Sequence, residues 1–235
     1  MKTQDTYKAI VDAATNNRKL LAVLLDPEKF DIENAAAFLR GLPPETTHLF
    51  VGGSTVPEGH TQQLVDALKL YTSRPVVLFP GDASQISKNA DALLFLSLFS
   101  GDNPEYLVHQ QIKAVPLLRS IDLEVIPTGY ILVDGGHVSA VSTVTQTHPI
   151  SQDDPGLIVD TAVAAELTGK KLIYLEAGSG ALTPVRKEII SAVKKELEIP
   201  LIVGGGIRST DQLKAAFEAG ADMVVMGTAF ESLKS

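Results

Sequence analysis

Short apolar, β-branched runs recur along the chain, each followed by a turn rich in Gly, Asp or Ser and then by a segment of helical period. The runs are Leu20–Asp26, His48–Gly52, Val76–Pro80, Ala92–Leu98, Leu123–Pro127, Leu172–Glu176, Leu201–Gly204 and Met223–Gly227. Continuous apolar runs between helical segments predict parallel strands, since crossover helices cover both faces of such a sheet. Eight of them in 235 residues predict closure into a single α/β domain over residues 1–235, a (β/α)8 TIM barrel. An open doubly wound sheet is the alternative, and turns of phosphate-binding type after the last two runs favour the barrel.

Several helix ends are readable. Asn103-Pro104 and Thr183-Pro184 each place a capping residue before a proline suited to the first helical position. Ser209 and Gln212 have capping-box spacing, and Gly169 and Gly220 fall where helices should end. Two irregularities interrupt the pattern. Only Gly81 to Asp91 separate the third run from the fourth, too few for a full helical crossover, so the third helix is expected to be reduced. After the fifth run, Asp134-Gly135 between alternating residues predicts a hairpin.

Charge and composition narrow the chemistry. A net charge of −8 argues against a general nucleic-acid binder, which needs a basic face. An anionic ligand must then be met by backbone N–H groups or by a metal ion. With no cysteine, disulfide and thiolate chemistry are excluded. The segment Met1 to Asn17 is polar and helical in pattern, unlike a signal peptide, and no apolar run is long enough to cross a membrane. A cytoplasmic protein is expected.

The glycines after the last two runs carry the clearest chemistry. Gly204-Gly205-Gly206-Ile207-Arg208-Ser209 and Gly227-Thr228 sit where a barrel commonly binds phosphate, after strands seven and eight. There the backbone can approach the ligand and a helix N-terminus adds its dipole. Strand six ends in Tyr174-Leu175-Glu176-Ala177-Gly178-Ser179-Gly180, and alternation puts Tyr174 and Glu176 on one face. If that face is the interior, a phenol and a carboxylate meet beside the phosphate site; an ion pair with Lys or Arg is the structural alternative. At the ends of strands one and two, Asp26 and Ser54 offer hard oxygen ligands for Mg²⁺, although Asp26-Pro27 also reads as a helix-starting turn and Ser54 as a cap. Gly81-Asp82 reads as a turn or a substrate contact. The five histidines lack metal-ligand spacing and read as surface or satisfied residues, with His137 on the expected hairpin a mild exception.

Taken in order, LLDPEK, VGGST, FPGD, YLEAGSG, IVGGGIRS and MGT resemble the geranylgeranylglyceryl phosphate synthase family over Leu24 to Thr228, and YLEAGSG resembles its second subgroup, found in archaea and some bacteria. The resemblance implies Mg²⁺-dependent prenyl transfer. The C3 hydroxyl of sn-glycerol 1-phosphate attacks C1 of geranylgeranyl diphosphate, giving an ether and releasing diphosphate. Matched residue by residue, Asp26 and Ser54 fall on the family's metal positions. Tyr174, Leu175, Glu176, Ala177, Gly178, Ser179 and Gly180, with Gly204, Gly205, Gly227 and Thr228, fall on its glycerol-phosphate site. Glu176 is the implied proton acceptor and Tyr174 its orienting partner. Related bacterial members carry Lys where this chain has Leu24, so backbone groups or Arg208 are expected to replace that contact. The family also implies a homo-oligomer, a long-chain prenyl diphosphate as co-substrate, no nucleic-acid partner and at most transient contact with a membrane. Two other readings compete: a phosphosugar isomerase-type barrel, which usually sets an acid/base pair on strands one and five, where this chain offers Pro127-Thr128-Gly129-Tyr130, and a non-catalytic phosphoglycerol-binding barrel.

Overall fold

The structure, a computed structural model, describes residues 5–227. The chain runs through α1 (Asp5–Thr15), β1 (Leu20–Leu25), α2 (Ala35–Gly41), β2 (Thr46–Val51), α3 (His60–Lys69), β3 (Val76–Leu78), a 3-10 turn (Ala83–Gln85) and β4 (Ala92–Leu98). It continues through a π-helical turn (Glu105–His109) into α4 (Gln110–Leu118), then β5 (Glu124–Leu132), α5 (Ala140–Thr145), α6 (Pro155–Leu167) and β6 (Leu172–Glu176). The last described elements are α7 (Lys187–Glu196), β7 (Leu201–Gly204), α8 (Thr210–Glu218) and β8 (Met223–Met226). The strands are parallel and pair in sequence order. β8 closes on β1, with Leu20 opposite Met223 and Val23 opposite Met226.

Strand alternation divides the apolar side chains between two layers. Ala22, Phe50, Leu94, Ile126, Tyr174 and Ile202 fill the barrel, while the intervening residues meet the helices outside. The N-terminal face of the barrel is sealed by α1. Ile10 and Ala13 are fully buried against the inner core, and the buried Glu124 carboxylate accepts hydrogen bonds from the N–H groups of Thr6 and Tyr7 at 2.9 and 3.0 Å. A carboxylate there satisfies otherwise unpaired helix donors and complements the helix dipole. Access to the interior is therefore left to the face where the strands end.

The short β3–β4 crossover holds only the 3-10 turn Ala83–Gln85, so the outer ring has a gap beside β4, as its length predicts. Three expectations are corrected. Strand five does not stop at Pro127 but continues to Leu132: Pro127 removes one ladder donor, yet its carbonyl still accepts from Lys171 N at 2.7 Å. Nor does Asp134-Gly135 turn a hairpin. Tyr130 to Leu132 remain paired to β6, Val133 makes one parallel bridge to Ile150, and the chain then enters α5, capped by Ser139 Oγ on Ser142 N. Finally, Thr183-Pro184 does not open a helix. Pro184 packs against Gly206 and its carbonyl accepts from Gln152 Nε2, so α7 begins later, at Lys187. The Asn103-Pro104 and Ser209 caps are present, and Gly169 and Gly220 end α6 and α8 with positive φ.

Candidate active site

A cavity of about 530 Å³ opens where the strands end, a volume typical of small-molecule sites. It brings the two predicted ends together: Asp26 and Ser54 line one side, Glu176, Ser179, Gly180, Gly205 and Gly227 the other, with Tyr174 between them. Three residues of the YLEAGSG segment do not line it. Leu175 points into the outer core, Ala177 N donates to Gly204 O, and Gly178 N donates to Glu176 Oε1 at 2.7 Å. Gly204 lies beneath the site rather than along it. A Cβ there would stand 2.4 Å from the Tyr174 hydroxyl and 2.9 Å from Glu176 Oε2, so only glycine admits those two groups. Thr228 falls outside the described residues.

Glu176 and Tyr174 point into the barrel, as alternation requires. The carboxyl is buried, and among the described residues no Lys or Arg forms an ion pair with it, which disposes of the structural alternative. Burial pushes its pKa up to about 7, opposed by the nearby Tyr174 hydroxyl and the Gly178 N–H. The Tyr174 phenol is itself buried, makes no well-formed hydrogen bond, and is held well above the usual tyrosine range by burial and by the neighbouring carboxylate. A carboxyl poised near neutrality beside an available hydroxyl can exchange a proton with a bound alcohol.

The phosphate end is built from backbone. Among the described residues the N–H groups of Ser179, Gly180, Gly205 and Gly206 have no hydrogen-bond partner. Gly180, Gly205 and Gly206 all have positive φ, and α8 starts just beyond, under its Ser209 cap. Free N–H groups converging near a helix N-terminus form an anion cradle without side-chain charge. Arg208 adds a guanidinium at the cavity wall, anchored by donation to Ala181 O at 2.8 Å. Leu24 lies against Gly227.

At the opposite side Asp26 Oδ1 accepts from Glu28 N, and Oδ2 lies 3.1 Å from Lys29 Nζ. A Cβ on Gly53 would come within 2.9 Å of Asp26 Oδ1, so the loop after β2 can pack against the carboxylate only through glycine. Among the described residues no group of three His, Asp or Glu side chains could hold a metal. One carboxylate, one hydroxyl and nearby backbone oxygens suit a hard cation that keeps several waters and takes oxygens from its substrate, not a closed cage. The donor set therefore fits Mg²⁺.

Sequence reasoning missed three contributors. Phe79 and Tyr130 form an aromatic cluster with Tyr174, with ring centroids 5.0 to 5.6 Å apart, and both line the cavity. Phe79 follows Val77 in period two, whereas Tyr130 could be placed only by carrying strand five past Pro127. Gly206, in the GGG run read as the phosphate end but left out of the residue-by-residue match, also lines the cavity. Gln85, on the 3-10 turn, is buried and clasps two loops, donating to Gly53 O at 3.0 Å and accepting from Gly81 N at 3.2 Å. One histidine also departs from its reading: His48 is buried at the sealed end, its Nε2 has no partner, and burial and Arg18 push its pKa down to about 4.

Beyond β4 the cavity continues along an apolar groove. Ile86, Leu93, Phe95 and Ala114 line it where the missing helix would have packed. The raised Glu176 pKa also sets a pH dependence of stability. Because the folded value, about 7, exceeds the ordinary 4.5, the stabilisation of the protonated form is complete below about 4.5 and is lost as pH rises through about 7. The loss is on the order of 3 kcal/mol. Glu176→Gln, neutral throughout, is expected to gain thermal stability relative to the natural protein between pH 5 and pH 8.5. A melting-temperature difference constant across that range would contradict this.

Comparison with known proteins places the chain. Residues 14–234 match the PcrB family. A relative from Zunongwangia profunda named geranylgeranylglyceryl phosphate synthase is 58% identical over 95% of this chain and 96% of its own length. One of the same name from the archaeon Korarchaeum cryptofilum is 40% identical over 91% of this chain and 88% of its own. The crystal structure of (S)-3-O-geranylgeranylglyceryl phosphate synthase from Thermoplasma acidophilum in complex with sn-glycerol-1-phosphate superposes with a TM-score of 0.89 at 36% identity, covering 100% of this chain and 93% of that one. Relatives thus come from both bacteria and archaea, the barrel is shared with the Thermoplasma structure, and the chain belongs to the PcrB family.

Proposed function

We propose that the protein is a Mg²⁺-dependent prenyltransferase that joins the C3 hydroxyl of sn-glycerol 1-phosphate to C1 of geranylgeranyl diphosphate. The observation that carries this reading is one continuous cavity. It joins an anion cradle, a buried carboxyl without a cation, a hard-oxygen site and an apolar groove. The names of its relatives, and the sn-glycerol-1-phosphate bound to its Thermoplasma neighbour, point to the same substrates.

The acceptor phosphate occupies the N–H groups of Ser179, Gly180, Gly205 and Gly206, with Arg208 supplying the local positive charge that the chain as a whole lacks. The glycerol then extends toward Tyr174 and Glu176. Glu176 takes the proton of the C3 hydroxyl as its oxygen bonds to C1 of the donor, and Tyr174 fixes the carboxylate's orientation. The bond from C1 to the diphosphate oxygen breaks, and its electron pair leaves with diphosphate. Asp26 and Ser54 would hold Mg²⁺, which when bound neutralises the charge that develops on the departing diphosphate. Lys29, already beside Asp26, keeps a cation at that side of the cavity. The prenyl tail lies in the groove beside β4, where apolar walls remove it from water.

The isomerase-type alternative gains nothing from the structure. The acid past the true end of strand five is Asp134, an exposed residue whose carboxylate accepts from Gly136 N in a local turn. A non-catalytic binder has no use for a carboxyl whose burial costs stability.

Two outcomes are expected from transfer assays with sn-glycerol 1-phosphate and a ladder of prenyl diphosphates. Glu176→Gln lowers Mg²⁺-dependent ether formation at least about a hundredfold, the scale of general-base catalysis. Undiminished transfer by this variant would remove the base assignment, and no transfer by the natural protein with any donor would remove the synthase reading. Ala114→Trp fills the groove and is expected to suppress the C20 donor while sparing C10. Equal use of both donors by that variant would place the tail elsewhere.

A further inference from the structure

The loop after β5 lies directly against the turn that carries the phosphate cradle. Gly135 O accepts from Leu182 N and Thr183 N at 2.9 and 3.1 Å, and a Cβ on Gly135 would stand 2.3 Å from Ala177 O. Buried Gln152 fastens the same two loops, donating to the carbonyls of Asp134 and Pro184 and accepting from Arg186 N. The loop is therefore a fixed platform, and His137 projects from it onto the turn. Its Nε2 lies 3.0 Å from Ser179 O, so Nε2 carries the proton and donates. The ring also covers both flanking glycines: a Cβ on Gly178 would be 3.5 Å from His137 Cε1, and one on Gly180 would be 3.6 Å from Nε2. His137 Nδ1 is buried without a partner.

In a planar trans peptide, the carbonyl of one residue and the N–H of the next point in opposite directions. Holding Ser179 O toward His137 therefore turns Gly180 N–H away from the ring, and Gly180 lines the cavity with that N–H unpaired. Gly180, at positive φ and without a Cβ, leaves this peptide free to rotate unless something holds it. We propose that His137 is a positioning residue for the acceptor, locking the Ser179–Gly180 peptide so that its N–H faces the phosphate of the bound substrate. The assignment rests on the prenyltransferase reading above. It makes His137 responsible for acceptor affinity and leaves the proton transfer and the donor groove to other residues.

Three variants separate the hydrogen bond from packing. His137→Phe keeps a ring over the glycines but cannot donate, His137→Ala removes both, and His137→Gln places an amide N–H near the position of Nε2. Calorimetric titration with sn-glycerol 1-phosphate alone, followed by steady-state transfer, reads the outcome. Expected is about a tenfold weaker acceptor Kd and higher acceptor KM in His137→Phe and His137→Ala, the change one net hydrogen bond makes. The donor KM and kcat stay within about twofold, and His137→Gln recovers most of the affinity. A natural protein that binds the acceptor and a His137→Phe that binds it equally well would overturn this assignment alone. A natural protein that binds no sn-glycerol 1-phosphate would overturn the functional reading and this assignment with it. A variant that loses kcat rather than acceptor affinity would also overturn it, by placing His137 in the chemistry.

Discussion

A carboxyl buried in the barrel mouth, with no cation paired to it among the described residues, is the constraint around which the rest of the structure is arranged. Ionising such a group in an apolar setting is costly, and a side chain kept only for packing would not be acidic. The chain keeps it and shapes the neighbourhood to it. Gly204 is bare so that Glu176 and Tyr174 can approach β7, and Gly178 N–H holds one carboxylate oxygen. Phe79, Tyr130 and Tyr174 pack beside it as an aromatic cluster. The result is a carboxyl whose pKa burial raises to about 7, opposed by a phenol and one N–H.

Everything else in the cavity is placed relative to that group. On one side the anion site is made of backbone N–H groups, which carry no formal charge and so do not neutralise Glu176 as a lysine would. On the other, Asp26 and Ser54 stand across the mouth, close enough to share one cavity with the carboxyl. The third direction is open because the β3–β4 crossover is short. A regular barrel would cover the outer face of β4 with a helix. Here Leu93 and Phe95 instead line a groove continuous with the cavity that holds Glu176. On the proposed reading the missing helix leaves room for the prenyl tail, and Gln85 ties the neighbouring loops together in its place. α1 seals the far face, so ligands reach the interior by the strand ends.

The fold was legible because both signals behind it are local. Apolar strand runs and helix punctuation repeat eight times, and the eleven residues from Gly81 to Asp91 could not hold a full crossover. Alternation put Tyr174 and Glu176 on one face, but that this face is the interior came only with the structure. Strand five was misjudged because Pro127 and Asp134-Gly135 are strong local breakers. Tertiary pairing to β4 and β6 overrides the first, and the close approach of Gly135 to Ala177 gives the second a different purpose. That error hid Tyr130 and left His137 on a hairpin that does not exist. Gln85 could not be read at all, since its importance lies in tying the local Gly81 N–H to the Gly53 carbonyl, which is distant in sequence. Glycines raise a similar difficulty: Gly204 and Gly206 look alike in GGG, yet one makes room for side chains while the other offers a free N–H. Only the three-dimensional arrangement separates these uses.

The most direct test of the account is the pH dependence of kcat/KM for sn-glycerol 1-phosphate at saturating donor and Mg²⁺. If the buried Glu176 carboxylate accepts the proton, the rate rises with pH through a midpoint of about 7, and that limb is absent from the residual activity of Glu176→Gln. A limb near the ordinary carboxylate value of 4.5, or one that persists unchanged in the variant, would contradict it, because the titrating group would then not be Glu176 in its buried setting.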